Sequence, residues 1–264
     1  MKKKNLFYVL LALAVCFISC DNGNEPNPDD GGDKSTEKLV SKIEIERPEY
    51  RKETMLFTYN EKNQVSKIVF NTIYLNSEKE NDGYGWQWNI TYSENKIILI
   101  EEDVDLYDEC TMNLNKDKSV ASIIIEDTQT GEYEYNNNYL KKFIFISESG
   151  NADFGWKDNN LTTVQLGKEW GNDIINIEYS EYDNKSNLDL FWILNGDKRI
   201  QESIYNPYFG LLGFFGNKSE KLISEVHSNY SGGSTVEYKF DSEGYVTECT
   251  ENDSKVFKIE YNNN

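Results

Sequence analysis

A short recurring unit restricts what this chain can fold into. Six times a pair of apolar residues with one residue between them leads into a polar turn and then a further apolar stretch: FTYNEKNQV from Phe57, ITYSENKI from Ile90, MNLNKDKSV from Met112, YEYNNNYL from Tyr133, FGWKDNNL from Phe154 and YKFDSEGYV from Tyr238. A seventh copy, IEYSEYDNKSNL from Ile177, has a longer turn. The residues just before the turns are Tyr59, Tyr92, Leu114, Tyr135, Trp156 and Tyr179, at spacings of 33, 22, 21, 21 and 23. About 22 residues accommodate a strand, a tight turn and a returning strand, which is the unit of an antiparallel meander. Asn, Asp and Gly in the turns supply the positive backbone angles that tight hairpins require.

Within the units the side chains alternate. Trp86, Trp88, Ile90 and Tyr92 share one face, as do Met55, Phe57 and Tyr59. The runs IILI at 97–100, SIII at 122–125 and FIFI at 143–146 are apolar at nearly every position, which predicts burial on both faces or a covered outer face. Helical periodicity is nearly absent. The expected fold is all-β: one large antiparallel meander, a curved sheet or half-barrel, over residues 37–264. Turns are predicted near Asn60–Gln64, Ser93–Asn95, Asn115–Lys118, Asn136–Asn138, Lys157–Asn160 and Asp241–Gly244. The run GLLGFFG at 210–216 fits neither strand alternation nor a stable helix. It reads as a short helical or loop plug near 206–219 whose Leu211, Leu212, Phe214 and Phe215 either close one end of the sheet or form an apolar patch for a partner.

The first residues address location. Lys2, Lys3 and Lys4 precede an apolar run from Leu6 to Ile18 that ends in Ser19 and Cys20. This order resembles a bacterial lipoprotein signal over residues 1–19, with Cys20 as the lipidated residue, and the run is too short to cross roughly 30 Å of hydrocarbon. Residues 20–36 are Cys20 and then DNGNEPNPDDGGDKST, which has no large apolar side chain and reads as an acidic tether. Asp21, Asp29 and Asp30 behind the cysteine resemble the signal that sends Bacteroides-type lipoproteins to the cell surface. Outer-membrane location on the outer face is therefore expected, with lipid as the sole contact with the membrane. A lipid-facing barrel is not expected, because its strands need an outward apolar band about 25 Å tall, whereas these carry Lys67, Glu101, Glu126, Lys141 and Lys142.

The repeat unit looks like the tyrosine-and-aspartate repeats of bacterial surface proteins, without their strict glycine and arginine. More of the chain, residues 39–261, resembles a family of Bacteroides-type lipoproteins of unknown function with a porin-like sheet. The resemblance rests on NPYFGLLGFFGNKS at 206–219, LISEV at 222–226 and VEYKFDSEGYVTECTENDSKVFKIEY at 236–261. It implies a fold and no chemistry.

A formal charge of -19 opposes nucleic-acid binding. Behind Cys20 the cysteines are Cys110 and Cys249; no CxxC or Cys/His cluster is present, so neither a metal centre nor a cofactor is expected, and whether the two thiols pair is left open. His227 is the single histidine and lies in an alternating strand without a nucleophile motif. The acidic stretch 101–109 lacks the spacing of a calcium loop. Tyr84, Trp86, Trp88, Trp156, Trp170 and Trp192 are the candidate glycan-stacking residues if several face solvent together; the alternative is that they fill the core. Two functions follow. One is a non-catalytic binding or scaffold module for a glycan or an envelope protein. The other is an envelope hydrolase using paired carboxylates on the concave sheet face.

Overall fold

The computed structural model describes residues 38–47, 50–75, 83–102, 107–146, 150–194, 207–229, 232–252 and 254–262. The strands are β1 (Leu39–Arg47), β2 (Arg51–Tyr59), β3 (Val65–Tyr74), β4 (Gly83–Tyr92), β5 (Lys96–Glu102), β6 (Tyr107–Leu114), β7 (Val120–Ile125) and β8 (Thr128–Asn136). They continue as β9 (Tyr139–Phe145), β10 (Gly150–Lys157), β11 (Asn160–Leu166), β12 (Ile174–Asp183), β13 (Lys221–Ser228), β14 (Gly232–Phe240), β15 (Val246–Glu251) and β16 (Lys255–Asn262). Each pairs antiparallel with its neighbours in sequence, and β16 returns to pair with β1 from Leu39↔Asn262 to Glu46↔Val256. The sheet is a closed barrel of 16 strands. The expected half-barrel is thus corrected, because the first and last strands match in length and alternation and zip together.

The turns predicted from sequence lie at one rim. Asn137 and Asn138, and Asp158 and Asn159, take positive φ in two-residue turns. The five-residue turns are held by side chains: Asn60 Oδ1 accepts from Lys62 N and Gln64 N, and Asp241 Oδ1 from Glu243 N and Tyr245 N.

The aromatic column of the repeat lines the same rim. Here pairs such as β3–β4, joined only at the opposite rim, have no connecting turn, and their ladders stop early. The last ladder pairs are Lys42↔Leu56, Lys67↔Asn89, Lys142↔Asp153, Thr163↔Asn176, Glu225↔Thr235 and Glu248↔Lys258. Three residues beyond each pair on the second strand stands an aromatic whose polar tip donates to a carbonyl two residues before the pair on the first. The bonds are Tyr59 to Val40 at 2.7 Å, Tyr92 to Val65 at 2.9 Å, Trp156 to Leu140 at 2.7 Å, Tyr179 to Leu161 at 2.7 Å, Tyr238 to Ile223 at 2.7 Å and Tyr261 to Val246 at 3.0 Å. The ring spreads the strand ends, and its polar tip satisfies the carbonyl that the ladder abandons. Tyr135 holds the equivalent place near Val120 without closing such a bond. Between β5 and β6 the aromatic is replaced by Leu114. There the ladder runs on to Lys96↔Asn113, and Leu114 N donates to Asn95 O at 2.9 Å.

Barrels of this strand number commonly leave a channel; here apolar side chains occupy the inside. Ile43, Met55, Ile68, Phe70, Trp88, Leu99, Met112, Ile123, Phe143 and Phe257 point inward and are buried. The insert between β12 and β13 dips in from the turn rim with two helical turns, α1 (Phe191–Leu194) and α2 (Pro207–Leu211). Its Leu211, Phe214 and Phe215 are buried and Leu212 is half-buried. Phe215 stacks on Tyr133 at 5.0 Å and meets Trp192 edge-on at 5.3 Å. A Cβ on Gly210 would fall 2.4 Å from the Trp192 ring, so only glycine lets α2 approach α1 this closely. Gly216, at φ +89, packs against Asn138 O and bridges Tyr139.

The outer wall is polar. Lys42, Glu44, Glu46, Lys52, Lys258 and Glu260 form ion pairs across β2, β1 and β16, and Lys239 pairs with Glu248. Apolar interior and charged exterior reverse the polarity of a lipid-facing barrel. No helix among the described residues is long and apolar enough to cross a membrane. The three apolar runs are not buried on both faces: Ile100 and Ile146 are exposed and Ile98, Ile124 and Ile144 half-buried. Cys110 and Cys249 are free thiols, and burial pushes the Cys110 thiol up to about 12.

Candidate functional site: a pocket in the turn rim

The described residues of the insert cover only part of the barrel mouth. On one side Asn187 accepts from Val40 N at 2.9 Å and donates to the Tyr59 hydroxyl at 3.0 Å, fixing the insert over β1 and β2. On the other, Asn217 N donates to Asn138 O at 2.8 Å and Lys221 N to Asn160 Oδ1 at 2.9 Å, over the β8–β9 and β10–β11 turns. Among the described residues, none of the insert spans the sector between, at the β2–β3, β4–β5 and β6–β7 turns, beyond those that line the cavity there. A cavity of about 630 Å³ lies there, within the size range of small-ligand sites.

Its floor is apolar: Val65, Ile97, Leu114, Leu188, Leu212 and Phe214. Tyr59 and Tyr92 form the wall, their hydroxyls already engaged in the rim bonds, and Tyr92 meets Phe214 edge-on at 6.3 Å. Burial holds the Tyr92 phenol well above its ordinary range, so it stays neutral. The entrance carries Lys62, Asn63, Gln64, Ser93, Glu94, Lys118 and Asn187. Lys118 Nζ donates to Glu94 O at 2.7 Å, which ties the β4–β5 turn to the β6–β7 turn and sets the ammonium at the mouth. Two ammonium groups against one carboxylate make this entrance cationic on a strongly acidic protein.

The cavity occurs where the repeat departs from its pattern. At Leu114 an aliphatic side chain stands where other units place a ring, and this opens room between the second and third turns.

The six aromatics singled out from sequence are not gathered into one strip. Trp192 is buried and donates to Asp189 Oδ2 at 3.0 Å; Trp88 is buried and donates to Glu101 Oε2 at 2.8 Å. Trp156 serves as a rim aromatic, and Trp170 is half-buried, its ring over Gly150. Trp86 and Trp88 pack against each other at 5.0 Å toward the opposite rim, where Trp86 also stacks on Phe70 at 3.5 Å, and Tyr84 lies 6.3 Å from Tyr74. Strand alternation aimed most of these rings inward, and core packing claimed them. Sequence reasoning missed Lys62, Lys118 and Asn187; the available signal was Leu114, the one non-aromatic residue in the column. Residues 103–106 of the acidic stretch, together with Cys20 and the leader, lie outside the described residues.

Comparison with solved structures supports the fold. The chain is similar to a porin-like protein from Bacteroides uniformis, with TM-score 0.65 and 14% identity over 84% of this chain and 96% of that one. A porin-like protein from Bacteroides vulgatus aligns at TM-score 0.37 and 11% identity over 85% of this chain and 99% of that one. No protein-family model matches the chain, and no curated protein does. The class defined is a porin-like all-β barrel of 16 antiparallel strands. Neither the lipoprotein family nor the tyrosine-and-aspartate repeats gain support from these comparisons.

Proposed function

We propose that this chain is a lipid-anchored envelope protein whose barrel is a rigid support for a non-catalytic binding pocket in the turn rim, and that the pocket takes a short glycan. The carrying observation is the coincidence of the cavity with the repeat unit that lacks its ring. An apolar floor below amides, a hydroxyl and two ammonium groups suits a sugar ring with hydroxyl or acidic substituents. Lys62 and Lys118 favour acidic sugars. The basic and apolar leader before Cys20 supports anchoring through lipid at the outer membrane, with the cell surface favoured by the acids that follow.

The hydrolase alternative needs two carboxylates about 5 to 10 Å apart around a substrate. Among the described residues Glu94 is the single carboxylate lining this pocket. The deciding experiment is a glycan array with the purified chain, repeated with Leu114→Trp, which fills the cavity, and with Lys62→Ala/Lys118→Ala, which removes its charge. Binding lost in both variants, with unchanged circular dichroism, supports the reading. Binding retained in both moves the ligand elsewhere, and release of reducing ends from a bound glycan would favour the hydrolase.

A further inference from the structure

On the outer wall, away from the pocket, β12 and β13 bring together three metal-ligating side chains. Glu178 and Glu225 are directly opposite in the ladder, and His227 lies two residues beyond Glu225, so strand alternation places all three on the solvent face. His227 Nε2 is 3.2 Å from Glu225 Oε2 and 3.8 Å from Glu178 Oε1, and the donor atoms lie within 4.8 Å of one another. Four ligands at about 2.0 to 2.2 Å from a tetrahedral zinc ion stand roughly 3.3 to 3.6 Å apart. The separations found here bracket that value.

Two further observations favour a cation. His227 stands between Asn176 on one side and Gly233 on the other, and a Cβ at Gly233 would lie 3.3 Å from His227 Nδ1, so glycine keeps the approach to the imidazole open. Among the described residues no lysine or arginine pairs with Glu178 or Glu225. The long-range field of an acidic chain also attracts cations.

We propose that Glu178, Glu225 and His227 form a binding site for a divalent first-row transition cation such as Zn2+, with one position left to water. The imidazole selects against Ca2+ and Mg2+, which prefer all-oxygen shells. Bound there, the ion clips β12 to β13, the one neighbouring pair joined through the long insert instead of a hairpin turn.

The test is calorimetric titration of Zn2+ into the untagged protein at neutral pH, with Ca2+ as a second titrant. The expected result is one equivalent of Zn2+, no Ca2+ heat, and a zinc shell containing one imidazole nitrogen by X-ray absorption. His227→Ala should weaken binding by more than about tenfold, and Glu225→Gln should weaken it while leaving the far-ultraviolet spectrum unchanged. His227 is half-exposed, so its truncation leaves the core intact. Absence of zinc heat in the wild-type protein, or zinc binding of equal strength in both variants, overturns the assignment.

Discussion

Removing the rim hydroxyls one at a time tests whether the aromatic column closes the barrel mouth. Tyr92→Phe keeps the ring, its packing on Phe214 and the strand spacing, and deletes only the 2.9 Å bond to Val65 O. A net hydrogen bond contributes about 0.5 to 1.5 kcal/mol, and a buried carbonyl left without a donor costs about 1 to 3 kcal/mol. Tyr92 is half-buried, so water reaches part of the gap and the expected loss is about 1 to 2 kcal/mol. For a domain of this size each kcal/mol lowers Tm by roughly 2 to 4 °C. Tyr238→Phe, which deletes the 2.7 Å bond to Ile223 O in a different unit of the rim, should cost the same. Distant sites with no shared partner add to within about 0.5 kcal/mol, so the double variant should lose about 2 to 4 kcal/mol. Urea unfolding followed by tryptophan fluorescence measures all three. Midpoints within error of wild type for both single variants, with no added loss in the double, would refute the column as a closing device and leave the rings as packing alone.

The remaining expectations concern the insert. Phe215→Ala, which empties the space between Tyr133 and Trp192, should cost about 3 to 5 kcal/mol in denaturant unfolding; a wild-type midpoint would mean that the insert does not fill the barrel. Burial raises the Asp189 carboxyl to about 7, against the partial relief of Lys218 and the donors Phe191 N and Trp192 Nε1. A carboxyl raised on folding favours the folded state fully at pH below its unfolded value and loses that contribution as pH rises toward 7. Relative to wild type, Asp189→Asn should therefore gain stability as pH rises from about 4 to about 7 and keep a constant advantage above that, and parallel pH profiles of the two proteins would count against this. Gly210→Ala forces a methyl into the Trp192 ring and should destabilise by roughly 1 to 3 kcal/mol, with a shifted near-ultraviolet tryptophan band as a second readout.

The sequence was legible where the physics is local. Turn chemistry at Asn60, Asn137 and Asp241, the alternation of β4 and the ring before each turn all follow from adjacent residues. Closure does not. Pairing Val40 with Tyr261 depends on twist and stagger accumulated over every intervening strand, and no window of sequence contains both ends. The apolar runs misled because Ile98 and Ile100 satisfy strand propensity on a wall that water wets, where packing does not demand them. The pocket was half visible: Leu114 stood out in the column, but Lys62, Lys118 and Asn187 stand on the β2–β3 turn, the β6–β7 turn and the insert, and only the assembled sheet brings those three segments together.

Because β16 seats against β1, the sixteen strands, among the described residues, leave no free sheet edge. A partner cannot extend this sheet by adding a strand of its own, and the same closure removes the template for edge-to-edge aggregation. Recognition is then left to side chains at the rims and on the wall. Crowding against its own copies presents nothing along this wall for them to pair with.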